Sequence, residues 1–175
     1  MPKKRYELNE SSIEIIKAYC LEGYSPEEIV KLIYSSLLFP GIQPSSYSYS
    51  IVENICSSVY ESNVQKLLRA HETKTVGEYL AIDRKHRKIL SCFLKVANVY
   101  KNGLKTESLS KAVRKDAGWD DNPYTRRILR KYLYLLKRYK LLEPSPYGKG
   151  YVKLSEMGRK IAEFIIEIEN FLYKI

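Results

Sequence analysis

Six cations crowd one short stretch: Arg126, Arg127, Arg130, Lys131, Lys137 and Arg138. Guanidinium and ammonium groups at this density suit a polyanion. Both pair with phosphate oxygens, and Arg can also pair bidentately with guanine. No Asp or Glu occurs between Asp121 and Glu143. A solvated helix face normally mixes signs, because like charges four residues apart cost a few tenths of a kcal/mol. A face of one sign therefore points to an anionic partner that relieves the repulsion.

The element that must carry these groups is a helix from Asn122 to Lys140, with Asn122 as N-cap and Pro123 at the first helical position. Wound at 3.6 residues per turn, it puts Ile128, Leu129, Tyr132, Leu135, Leu136, Tyr139 and Thr125 on one side. The cations and Tyr134 fall on the other. Charge along the whole chain agrees. The total is +10 with a pI near 9.4. Residues 1–80 hold 8 Lys/Arg against 10 Asp/Glu, a net of −2, and residues 81–175 hold 22 against 10, a net of +12. A polyanion thus belongs to the second half.

Other chemistries find little support. There is no Gly-rich phosphate loop and no nucleophile with a local histidine, so catalysis is not expected. Asp120 and Asp121 are adjacent carboxylates in a loop, a poor acid–base pair. His71 and His86 show no ligand spacing, and no metal or cofactor is expected. Three cysteines, Cys20, Cys56 and Cys92, with no C-x-x-C, suggest neither a disulfide framework nor a zinc site; each is expected to fill an apolar helix face. No apolar run spans a membrane, and Met1 to Arg5 is basic with no apolar stretch behind it. The expected location is cytoplasmic, on DNA.

In chain order, a helix is expected from Leu8 to Leu21, with Asn9 a candidate cap and Gly23 closing it. Ser25, Pro26 and Glu28 make a capping box with the favoured proline. Leu38-Phe39-Pro40-Gly41 breaks that second helix, and a third runs from about Ser46 to Glu61, with continuation to about His71. Three helices with a tight second turn fit a small bundle or a helix-turn-helix, which would set Tyr47, Ser48, Tyr49 and Ser50 at the start of a reading helix. The net of −2 favours an interaction domain over 1–80 that takes a protein partner. Residues 72–81 are polar and could link the halves.

A helix opening at Arg84 follows, then a turn at Asn102-Gly103. A short helix from Thr106 to Lys115, capped by Thr106, comes next, then a loop with Trp119 and the basic helix. Leu141-Leu142-Glu143 and Tyr151-Val152-Lys153-Leu154 read as a short β-hairpin, and its Pro/Gly-rich tip is expected to be flexible and basic. The last helix spans about 155–175, and Met157, Ile161, Phe164, Ile168, Phe171 and Ile175 are spaced 4, 3, 4, 3, 4. That alternation is the seam of a helix packing on a long neighbour, so it is expected to make a homodimer.

Tyr132-Leu133 with Leu136, Tyr139-Lys140-Leu141-Leu142-Glu143-Pro144-Ser145, and Gly148 through Arg159 with its Leu154-Ser155-Glu156-Met157-Gly158 step resemble the archaeal and bacterial winged-helix regulators. The resemblance covers about 84–175. It implies a winged-helix domain with a small hairpin wing and a long C-terminal helix; with the helical bundle, or helix-turn-helix, read in the N-terminal half, the expected fold class is mainly α. Two features depart from the pattern. Lys140 stands where a left-handed glycine is usual, and Asp120-Asp121 precede the reading helix. The resemblance implies that the basic helix enters the major groove of double-stranded DNA, with Tyr124, Thr125, Arg126, Arg127 and Arg130 toward base edges. Lys131, Tyr134, Lys137 and Arg138 would meet phosphates, while Tyr147 and Lys149 on the wing and Arg84, Lys85, Arg87 and Lys88 extend the basic track. A transcriptional regulator fits best. A plasmid or viral replication or partition protein joins the same parts, and a winged-helix interaction module in a multisubunit assembly would turn the basic helix toward an acidic protein.

Overall fold

The computed structural model describes residues 10–35 and 46–173. The chain separates into two compact units, Met1–Tyr60 and Glu61–Ile175. The division falls inside a long helix and not at the polar 72–81 stretch.

The first unit holds α1 (Glu10–Leu21), α2 (Pro26–Tyr34) and the start of α3 (Ser46–Thr73). Leu8, Asn9 and residues 38–41 lie outside the described residues, as do the side chains of Ser46 and Tyr47. Helix α1 ends as its sequence dictates. Gly23 takes φ +92°, Gly23 N donates to Cys20 O and Tyr24 N to Tyr19 O, a Schellman closure. Ser25 then caps α2, its Oγ accepting from Glu28 N at 3.2 Å. Ile16, Ile29, Val30, Ile33 and Val52 form the core. Cys20 and Cys56 join α1 to α3 in a disulfide, with Cα atoms 5.2 Å apart. The expectation of unpaired cysteines is corrected here. Both do lie on buried helix faces, but pairing depends on which helices meet, and spacing along the chain does not report that. A bridge of this kind typically adds about 2–4 kcal/mol.

The second unit begins with the rest of α3 and α4 (Val76–Leu80), then α5 (Arg84–Val99), β1 (Leu104–Lys105), α6 (Thr106–Ala117), α7 (Pro123–Arg138), β2 (Leu142–Pro144), β3 (Tyr151–Leu154) and α8 (Glu156–Tyr173). Residues 61–80 belong here because they pack here. Tyr79 is buried, and Asn63 Nδ2 donates to the hydroxyl of Tyr132 at 2.9 Å. Helix α6 starts one residue earlier than a Thr106 cap requires: Lys105 is the cap residue, and no side chain bonds there. Strand β1, too short for any alternation to reveal it, pairs antiparallel with β3, Leu104 opposite Val152. Strand β2 takes the other edge, Leu142 opposite Leu154, so the order is β1-β3-β2. Val152 and Leu154 point into the core, where α5 packs on α6 and α8.

The junction after α7 is tightly specified. Lys140 has φ +59°, and Leu141 N reaches Leu136 O at 2.9 Å, the same closure that Gly23 makes for α1. A lysine in this conformation costs about 1 kcal/mol relative to glycine. Ser155 fixes the other side, its Oγ donating to Lys140 O at 2.6 Å and accepting from Gly158 N at 3.0 Å. A Cβ at Gly158 would overlap the Leu141 carbonyl, so α8 can sit this close only with glycine there.

Candidate functional site

Helix α7 is built as its sequence prescribes. The Asn122 side chain accepts from Thr125 N at 2.9 Å, and Pro123 occupies the first turn. Ile128, Leu129, Tyr132, Leu135 and Leu136 are buried. About 2 kcal/mol for each fully buried large apolar side chain holds the helix by that face and leaves the opposite one to solvent. Arg126, Arg130, Tyr134, Lys137 and Arg138 are exposed, and Arg127 and Lys131 are half-buried. Thr125 is corrected: it is buried, turned to the core, and out of reach of a base edge.

Carboxylates from outside α7 touch its cationic face, Asp121 at its start and Glu61 at its end. Asp121 Oδ1 accepts from Arg126 Nε at 2.9 Å, and this bond holds the Asp121 carboxyl below its ordinary range. Whatever stability the pair adds is present above the usual Asp pKa and lost as pH falls through the lower folded value. Both groups are open to water, so the pair orients Arg126 more than it stabilises the fold. Glu61 lies 3.9 Å from Arg138 and accepts from the Tyr139 hydroxyl, which raises the Tyr139 pKa. Arg127 sits 5.9 Å from the ring of Tyr124, and Lys131 5.8 Å from that of Tyr134.

A groove of roughly 370 Å³ runs between α6 and α7, lined by Glu107, Lys111 and Arg114 of α6, by Asp121, and by Arg126, Leu129, Arg130 and Leu133 of α7. Lys111 and Arg114 were missed from sequence. Their spacing of three on α6 was the available signal, but their neighbours on α7 come from fifteen or so residues further on, and only packing brings them together. Tyr147 and Lys149 are exposed at the hairpin tip. The α5 cations go elsewhere. Arg84, Arg87 and Lys88 line a second cleft of about 450 Å³ beside Ser91, Lys95 and Glu169, with no lining residue shared with the first groove. Arg87 serves structure there, its Nη1 donating to Leu80 O at 3.0 Å and its guanidinium lying 5.7 Å from the Tyr79 ring. Lys85 is exposed. Glu169 is held by Lys95 at 2.7 Å and by the Ser91 hydroxyl. Cys92 borders this cleft but is buried, and burial with nearby Asp116 pushes its thiol up to about 11, so it stays protonated and unreactive.

The seam expected on α8 is corrected. Ile161, Phe164 and Ile168 are buried inside the second unit, where α8 packs on α5 and Phe164 meets the His71 ring edge to face. Met157 and Phe171 are exposed, and Ile175 lies outside the described residues. The middle of the 4, 3 alternation, Ile161 to Ile168, is thus covered by the chain's own helices.

His86 was passed over in the sequence because it has no ligand spacing. It is fully buried, its Nδ1 hydrogen-bonded to the Tyr132 hydroxyl that also accepts from Asn63, with Trp119 edge-on to its ring. The trio ties α3, α5 and α7 together beneath the cationic face. No cluster of metal-ligating side chains occurs among the described residues, and no described helix is long and apolar enough to cross a membrane.

The class so defined is a mainly helical chain whose second unit closes on a small three-stranded antiparallel sheet and presents one cationic helix face. No family model matches it, and neither a curated protein nor a solved structure matches it significantly.

Proposed function

We propose that residues 84–175 form a winged-helix domain that binds double-stranded DNA, and that the chain acts as a transcriptional regulator. The element order supports the fold reading: helix, short strand, helix, helix, hairpin, helix, with the short strand pairing to the hairpin. The observation that carries the function is the solvent face of α7, which bears six cations and no carboxylate of its own over an opposite face wholly given to the core. Arg126 and Arg130 near its start are the candidates for guanine, and Lys131, Lys137 and Arg138 for phosphates. Lys111 and Arg114 on α6 widen the phosphate track. Met157 and Phe171 are the described members of the α8 stripe still open to a second copy.

The test is retention of labelled random duplex at two salt concentrations. Neutralising six to ten phosphates lowers affinity by about three to five decades between 50 and 200 mM salt. Selection of bound sequences from the pool separates a specific reader from a general binder. A flat salt response overturns the proposal.

A further inference from the structure

We infer that the hairpin tip, residues 145–151, is a stacking site for an unpaired nucleic-acid base, with Tyr147 as the platform; this rests on the duplex-binding reading above and adds the kind of DNA the protein prefers. Single exposed tyrosines are common and need no explanation. This one differs in how it is mounted. Tyr147 is 61% exposed, yet the turn that carries it is tied at several points. Ser145 is buried, its Oγ donating to Asn102 O and accepting from Tyr147 N at 3.3 Å. Ser145 N donates to Tyr151 O at 2.9 Å, Tyr151 N to Gly148 O at 3.3 Å, and Thr106 N to Gly150 O at 3.0 Å. Gly103 presses so closely beneath that a Cβ there would overlap the Ser145 side chain. A rigid mount lowers the entropy lost when a ligand stacks.

The surroundings suit a nucleotide. Tyr151 meets Tyr147 edge to face, ring centres 6.1 Å apart, and Lys105 stands 5.7 Å from the Tyr151 ring. Lys149 is exposed two residues from Tyr147. An aromatic platform flanked by cations is the arrangement that holds single strands, since every base offers a π-face and the cations take the phosphates. Within an intact duplex those faces are already stacked. A protruding tip reaches them at an end, a gap or an opened step.

The experiment compares the full chain on a blunt hairpin duplex and on the same hairpin with a short oligothymidine tail, by fluorescence anisotropy at fixed salt. The tailed duplex is expected to bind about 5- to 150-fold more tightly, the range of one stacked base. Tyr147→Ala should bring the two affinities together at an unchanged melting temperature; Tyr147→Phe and Tyr147→Trp should keep them apart. Equal wild-type affinity for the two forms overturns the inference alone. So does a Tyr147→Ala loss of equal size on both, or a Tyr147→Phe loss matching alanine. No binding to either form overturns the duplex reading and this one with it.

Discussion

Helices α7 and α8 look alike in outline and differ in the face they leave to water. Both are amphipathic and both bury their apolar stripe within the second unit. The exposed side of α8 mixes Glu156, Arg159, Lys160, Glu163 and Glu167, with Lys160 and Glu156 3.7 Å apart at i,i+4. That is an ordinary solvated surface. The exposed side of α7 has one sign, and the carboxylates of Asp121 and Glu61, which meet Arg126 and Arg138, come from residues before α7 in the chain. An apolar stripe reports only that something covers it. The polar face is the side that distinguishes a structural helix from an interacting one.

The sharpest way to break this contrast is charge reversal on each helix. Replacing Arg126, Arg130 and Lys137 with Glu should abolish duplex retention and flatten the salt slope by about one per lost phosphate contact. Arg159→Glu with Lys160→Glu on α8 should leave both unchanged. Equal losses from the two sets, in anisotropy titrations over a salt series, would reduce the effect to net charge.

Next in size is the stripe of α8. Ile168→Ala removes a buried side chain and should cost about 2–5 kcal/mol in urea unfolding. Phe171→Ala, at an exposed position, should fall within about 0.5 kcal/mol. Were wild-type stability instead to rise with protein concentration, and Phe171→Ala to remove that dependence, α8 would be an interface between copies.

Smaller again is the polar tie under α7. Tyr132→Phe deletes the hydroxyl shared by Asn63 and His86 and should cost about 1–3 kcal/mol, because two buried polar groups lose their partner. The smallest effect is a gain. Lys140→Gly relieves a left-handed lysine at the end of α7 and should stabilise by about 0.5–1 kcal/mol. A loss there would mean that the lysine side chain contributes more than its backbone costs.

Much of this fold was legible because local signals agreed with one another. Ser25-Pro26-x-Glu28 and Asn122-Pro123 placed two helix starts where capping bonds are found. The period of α7 assigned its faces correctly apart from the role given to Thr125, which one helical wheel had already set on the inner side. Three features were not legible. The Cys20–Cys56 bridge, the two-residue strand β1 and the division inside α3 each depend on partners distant in sequence, and no periodicity in a two-residue segment announces a strand.

What the sequence determined by itself is the character of each surface: where charge accumulates, which stripe is apolar, which residues can begin or end a helix. These are properties of neighbours along the chain, set by side-chain type and the 3.6-residue turn. Tertiary structure decided which stripe met which, sending Ile161, Phe164 and Ile168 inward to their own unit, gathering Lys111 and Arg114 beside Arg126, and drawing Arg84 and Lys88 away to a different cleft. Burial free energy scales with the area covered and is indifferent to whether the cover comes from the same chain or another, so only the packed arrangement could decide between them.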